Sequence, residues 1–219
     1  MRRTSLILLA FLLGCADDLP PRALLDGYRV LGIAAEPPEA RVDDAVAATV
    51  ADALAEGARY AWSLCLFSYG ADAEYACEDE PIPLPATGPA LTLDLAALGV
   101  PDRLDALARA QGSDLDAWLA AGHPLWLVLQ SGPPDAPVRT VKRVTLRSAP
   151  ANHNPRLDRL EVPADVQADA TIELAVTAGG EETYTDVTGT TAEEVLLFTW
   201  YTTGGTLDPH RTAGPDRSR

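Results

Sequence analysis

The sequence predicts a mostly β chain of two β-sandwich modules in tandem, the first carrying a short helical insertion and the second incomplete. Three observations predict it. Short runs with period-2 alternation, bounded by Pro, Gly and Asp, recur along the 219 residues. The succession of opening strand, Pro-bearing turn, alternating strand and tryptophan-bearing strand occurs twice. The segment with helical spacing is short and sits between strands of the first copy.

The chain begins MRRTSLILLAFLLGC, with Arg2 and Arg3 ahead of an apolar run from Leu6 to Leu13. That run is far shorter than the about 20 residues a bilayer core requires. It fits the apolar region of a secretory signal peptide. Leu12-Leu13-Gly14-Cys15 resembles the bacterial lipobox, in which a small residue precedes a cysteine whose sulfur takes the diacylglycerol thioether. Residues 1–15 are therefore expected to be a lipoprotein signal peptide with Cys15 as the lipidation site. Residues 16–27, opening with Asp17 and Asp18 after Ala16, are expected to be a solvated tether. Ala16 is not the aspartate that retains some bacterial lipoproteins in the inner membrane, so the expected address is the outer membrane.

The first module is expected over 28–148. In "YRVLGIAAEPPEARVDDAVAATVADA", Tyr28 to Ala34 is apolar and β-prone, and Pro37–Pro38 forces a turn. Val46, Ala48 and Val50 then alternate with small or polar residues. "ARYAWSLCLFS" follows, with Trp62 and Leu64 on one face. "LWLVLQS" and "VRTVKRVTLRS" flank "GPPDAP" as a hairpin, with Val144 and Leu146 inward and Arg143, Thr145 and Arg147 outward.

Between these lies the helical insertion, about 101–121. Pro101 suits a first helical position, and Leu104, Leu107 and Ala108 keep helical spacing. Gly112–Ser113 breaks it, and Ser113 with Asp116 reads as a capping box for a second stretch carrying Leu115, Trp118 and Leu119. Such stripes are read as core, packed on a sheet edge.

Residues 149–156 have linker composition. The pattern then restarts over 157–219, with Ile172, Leu174 and Val176 alternating and "EVLLFTWYTTGG" placing Trp200 where Trp62 stands in the first copy. Trp200 is expected in the core and Tyr201, by alternation, exposed. The second module has about sixty residues and lacks at least two expected strands after "TLDPHRT". The expectation is an incomplete module, with a truncated reading frame favoured over an open edge awaiting another strand.

With Cys15 assigned to lipid, Cys65 and Cys77 remain. An even count in an oxidising compartment favours a disulfide, worth about 3 kcal/mol. The rival zinc reading fails for want of further cysteines or a nearby histidine. The formal charge of −15, more negative still without Arg2 and Arg3, argues against nucleic acid and against adhesion to anionic lipid. The membrane is expected as a partner through the lipid alone.

Catalytic signals are few. His123, His153 and His210 lie at a helix exit, in a linker and in a loop, share no metal-protease spacing, and are read as surface or turn residues. No nucleophile elbow or phosphate-cradling loop occurs, so no catalytic residues are assigned and a non-enzyme is expected. The run "ADAEYACEDEP" offers Asp72, Glu74, Glu78, Asp79 and Glu80 as calcium candidates, since calcium takes six to eight oxygens. The run lacks EF-hand spacing, so a solvated charge run is favoured and no cofactor is expected.

A tryptophan on a third strand occurs in immunoglobulin-like sandwiches, although Cys65 only three residues past Trp62 is not the antibody inter-sheet cysteine. The lipobox, "RVLGIAAEPPEARV", "YAWSLC", "NHNPRLDRLEV" and "FTWYTTGGTLDPHRT" together resemble predicted cell-envelope lipoproteins of myxobacteria and related bacteria. The resemblance covers nearly the whole chain. It implies secretion, tandem immunoglobulin-like modules and a cell-surface position, and no catalytic residues. The function expected is a non-enzymatic, lipid-anchored spacer or interaction module of the envelope, with an envelope protein as partner. The alternative is a lipoprotein that binds carbohydrate or peptidoglycan, with cell-wall glycan as ligand.

Overall fold

The computed structural model describes residues 23–167, 169–185, 190–213 and 217–218. The expected signal peptide, the expected lipidation site Cys15 and the first seven residues of the expected tether lie outside the described residues. No described helix is long and apolar enough to cross a membrane.

The first module is a β-sandwich. Its strands are β1 (Arg29–Glu36), β2 (Glu39–Ala40), β3 (Ala45–Ala53), β4 (Arg59–Cys65), β5 (Ile82–Leu84), β6 (Ala90–Asp94), β7 (His123–Gly132) and β8 (Val138–Leu146). One sheet runs β1-β3-β6 and the other β2-β8-β7-β4-β5. All neighbours are antiparallel except the short β2–β8 pair, which is parallel. Two hairpin-like sheets in this order, with β8-β7-β4 adjacent in one and β3-β6 in the other, give the strand neighbours of an immunoglobulin-like sandwich.

The alternation read from the sequence fills the space between the sheets. Val46, Ala48 and Val50 of β3 face Trp62 and Leu64 of β4, and Leu125, Leu127 and Leu129 of β7 complete the layer. Val144 and Leu146 of β8 point inward as expected. The Trp62 indole would leave a buried N–H; Nε1 instead donates to the Gly88 carbonyl at 2.9 Å.

The insertion forms α1 (Val100–Ala110) and α2 (Leu115–Ala121). Val100, Leu104 and Ala108 of α1 are fully buried at helical spacing, and Leu104 and Leu119 belong to the same core as the sheets. One detail differs from expectation. The cap of α2 is Asp114, whose Oδ1 accepts from the Ala117 N–H at 2.7 Å, rather than Ser113. Asp114 holds the extended backbone (φ −126°, ψ 160°) from which a side chain reaches the third amide ahead.

The second half is β-rich but less consolidated. It contains β9 (Arg156–Glu161), β10 (Leu174–Gly179), β11 (Thr183–Thr185), β12 (Thr191–Glu193), β13 (Leu197–Thr199), β14 (Arg211–Ala213) and β15 (Arg217–Ser218). These make a three-stranded sheet, β15-β10-β9, and two separate ribbons, β11-β12 and β13-β14. Every residue of β9 is exposed.

The echo of Trp62 in Trp200 is partial. Trp200 falls just past β13 and is half-buried, its Nε1 donating to Thr212 Oγ1 at 3.1 Å. Tyr201, expected to be exposed, is also half-buried. Both residues lie outside a strand, so strand alternation does not govern them.

Candidate functional site

The two modules are joined by specific bonds, and a cleft lies where they meet. The linker bonds to both modules: Asn154 and the backbone of Ala151 and Asn152 reach the first, and the His153 N–H donates to Glu182 Oε1 of the second at 2.9 Å. Asn154 Nδ2 donates to the Ala35 carbonyl at 2.5 Å and to Glu36 Oε2 at 2.7 Å. Glu39, in β2, accepts from Arg147 Nε at 2.8 Å and from the backbone N–H groups of Ala151 and Asn152. Burial works against the Glu39 carboxylate, but these three donors outweigh it and hold its carboxyl below the usual range.

A second clasp comes from the N-terminal side. The Leu25 N–H donates to the Thr202 carbonyl at 2.7 Å, and the Thr202 N–H donates to the Ala23 carbonyl at 2.9 Å. Ala23 and Leu25 are buried. The end of the expected solvated tether is therefore packed against the second module. Apolar Ala23 and Leu25 gain cover there, and the edge backbone gains partners.

Beside the Asn154 clasp lies an open cleft of about 820 Å³. Pro38 and Lys142 come to it from the first module, and Leu157, Val195, Leu197 and Phe198 supply an apolar wall from the second. A polar cleft of about 320 Å³ adjoins it, lined by Lys142, Arg143, Arg147 and Glu39. Pro38, Lys142 and Asn152 line both. At the far side of the polar cleft is Gly122. A Cβ there would come within 3.0 Å of the Arg147 guanidinium, and its φ of +88° also favours glycine.

The electrostatics are unusual for so acidic a chain. Arg147 is neutralised by Glu39 and Arg156 by Asp158 at 2.6 Å. Lys142 and Arg143 are in no ion pair among the described residues. Glu194 also lines the larger cleft, with its Oε2 3.4 Å from the Glu182 N–H.

The residues singled out from sequence fall elsewhere. Cys65 and Cys77 form a disulfide with their Cα atoms 5.4 Å apart. Arg139 donates to the Glu74 and Tyr75 carbonyls inside that loop, and the Tyr75 ring lies 4.8 Å from that of Trp126. Asp72, Glu74, Glu78, Asp79 and Glu80 are all exposed. No three potential ligands converge on a metal position among the described residues.

His123 requires a correction. Expected as a surface or turn residue at a helix exit, it is instead 7% exposed, with Nε2 3.1 Å from the Leu66 carbonyl. Burial holds its imidazole below the ordinary pKa, partly offset by that carbonyl. The reason is positional: His123 opens β7 beneath α2, where Phe67 and Trp118 close over it. His153 and His210 are exposed as expected.

A separate polar group lies at the sandwich end. Tyr60 donates to Asp52 Oδ2 at 2.6 Å and Tyr28 to the same oxygen at 3.3 Å. The bond to Asp52 pushes the Tyr60 hydroxyl up to about 12.

Sequence reasoning passed over Lys142, Asn154 and Glu39. A signal for Lys142 was present. It is the one lysine in the chain, two residues before inward-facing Val144 and directly opposite fully buried Leu127. A lysine in the core-facing row of a strand is a departure from pattern. No family model matches the chain, and no curated protein matches it.

Proposed function

We propose that this protein is a lipid-anchored envelope protein, a relative of the myxobacterial lipoproteins its sequence resembles, and that it holds a partner rather than turning over a substrate. The observation that carries the reading is the cleft between the two clasped modules, to which the second module brings the apolar Leu157, Val195, Leu197 and Phe198 and the first brings Lys142, in no ion pair among the described residues. Clasping matters because a cleft between freely moving modules would lose ordering entropy each time it filled. The hydrogen bonds of Asn154 and Thr202 remove part of that cost beforehand.

The address is supported by the N-terminal pattern ending in Cys15. Two or more acyl chains give stable attachment, since each buried CH₂ contributes about 0.8 kcal/mol. The strong negative charge is compatible with such an anchor and opposes adhesion through charge.

The test is the intact mass of the native protein extracted from its producing cell's envelope. A chain starting at Cys15, carrying acyl groups and lacking two hydrogens for the disulfide, is expected. An unmodified chain retaining Met1 overturns the anchor.

A further inference from the structure

We infer that the inter-module cleft is a docking groove for an acidic, extended peptide, whose alternate apolar side chains lie against Leu157 and Leu197 and whose carboxylates face Lys142 in that cleft and Arg143 in the polar cleft that adjoins it. The inference deepens the proposed function and rests on its reading of the cleft as the binding site.

Charge complementarity selects the sign of the partner. In a chain of net charge −15, Lys142 lines the cleft and Arg143 lines the polar cleft beside it, neither in an ion pair among the described residues. Lys142 is half-buried, so a carboxylate brought to it meets a less screened charge than at an open surface.

The wall opposite selects the kind of partner. Leu157, Val195 and Leu197 are 60%, 68% and 74% exposed, a concentration of open apolar surface that a partner would cover. A strand presents side chains alternately to two sides, which suits one apolar wall and one cationic wall. Sugar rings stack on open aromatic faces, whereas Phe198, the aromatic residue of this cleft, is half-buried. The geometry therefore favours peptide over glycan.

The backbone selects the mode. β9 is the edge of its sheet and β13 pairs on one side with β14, and the ends of both line the cleft. Unpaired strand edges are templates for an added strand.

The probe is a labelled peptide of about eight residues alternating glutamate and valine, a common strand length, titrated by fluorescence anisotropy into the purified full chain at low salt. Saturable binding that weakens as salt rises is expected. Leu197→Asp alters a side chain that is mostly in solvent and is expected to leave the melting temperature unchanged. It is expected to weaken binding about tenfold or more, as is Arg143→Glu in the adjoining polar cleft. Lys142→Glu should do the same, and thermal melting separates lost binding from lost folding.

Equal binding of a lysine–valine peptide overturns the inference, as does binding indifferent to both Leu197→Asp and Arg143→Glu. Displacement of the peptide by soluble glycan strands stripped of their stem peptides assigns the cleft to glycan and overturns it too. The anchor reading fails separately, on the mass of the native chain, so either can fall while the other stands.

Discussion

The His123 imidazole lies flat against the Trp118 indole, with ring centroids 5.2 Å apart and 10° between the planes. Phe67 meets both rings edge-on. This aromatic stack joins α2 to the first residue of β7. It encloses an imidazole whose protonation burial opposes.

A folded-state pKa lowered below the ordinary 6.5 means the unfolded chain binds the proton first. Stability is then fully present above 6.5 and falls as pH drops from there toward the depressed value. Urea unfolding at pH 7.5 and 5.5 should show this loss in the native chain and a smaller one in His123→Gln. Equal losses in both would place the acid sensitivity elsewhere.

The core of the first sandwich should respond sharply to truncation, and the second module should not. Leu127 is fully buried between the sheets, so Leu127→Ala should cost about 3 kcal/mol. Leu197→Ala removes a side chain that is mostly in solvent and should change stability by less than about 0.5 kcal/mol. Denaturant midpoints at constant slope measure both.

Losing the Cys65–Cys77 bond should destabilise the first module. The bridge spans 12 residues, and closing such a loop in the unfolded chain is worth about 3 kcal/mol on the chain-entropy account. The double variant Cys65→Ser, Cys77→Ser should melt lower by a matching amount. Its mass should no longer shift on reduction.

Asn154 should govern how firmly the modules are joined. Asn154→Ala removes the bonds to Ala35 and Glu36, at a cost of about 1 kcal/mol. Limited proteolysis should then cut the linker around residues 149–155 faster than in the native chain. Unchanged cleavage would mean that Glu39 and Thr202 hold the junction without it.

The first sandwich was largely legible because its strands are long enough to express a period. Val46, Ala48 and Val50, or Leu125, Leu127 and Leu129, each declare a buried face. The second module was legible only as β-rich. Its ribbons have three-residue strands, too short for alternation to assign Trp200 and Tyr201 to opposite faces. His123 was misjudged because its neighbour in space, Leu66, is 57 residues away.

By itself the sequence determined the β character, the positions of the long strands, the broken helix and the pairing of Cys65 with Cys77. Each of these depends on local periodicity, turn chemistry or simple counting. Only the tertiary structure decided that Ala23 and Leu25 pack on the second module, that Asn154 is bonded to β1, and that Lys142 stands at a cleft shared with Leu157 and Leu197. Those relationships join residues more than 100 positions apart in the first two cases. Such contacts are set by where packed sheets bring the chain back, which no local pattern encodes.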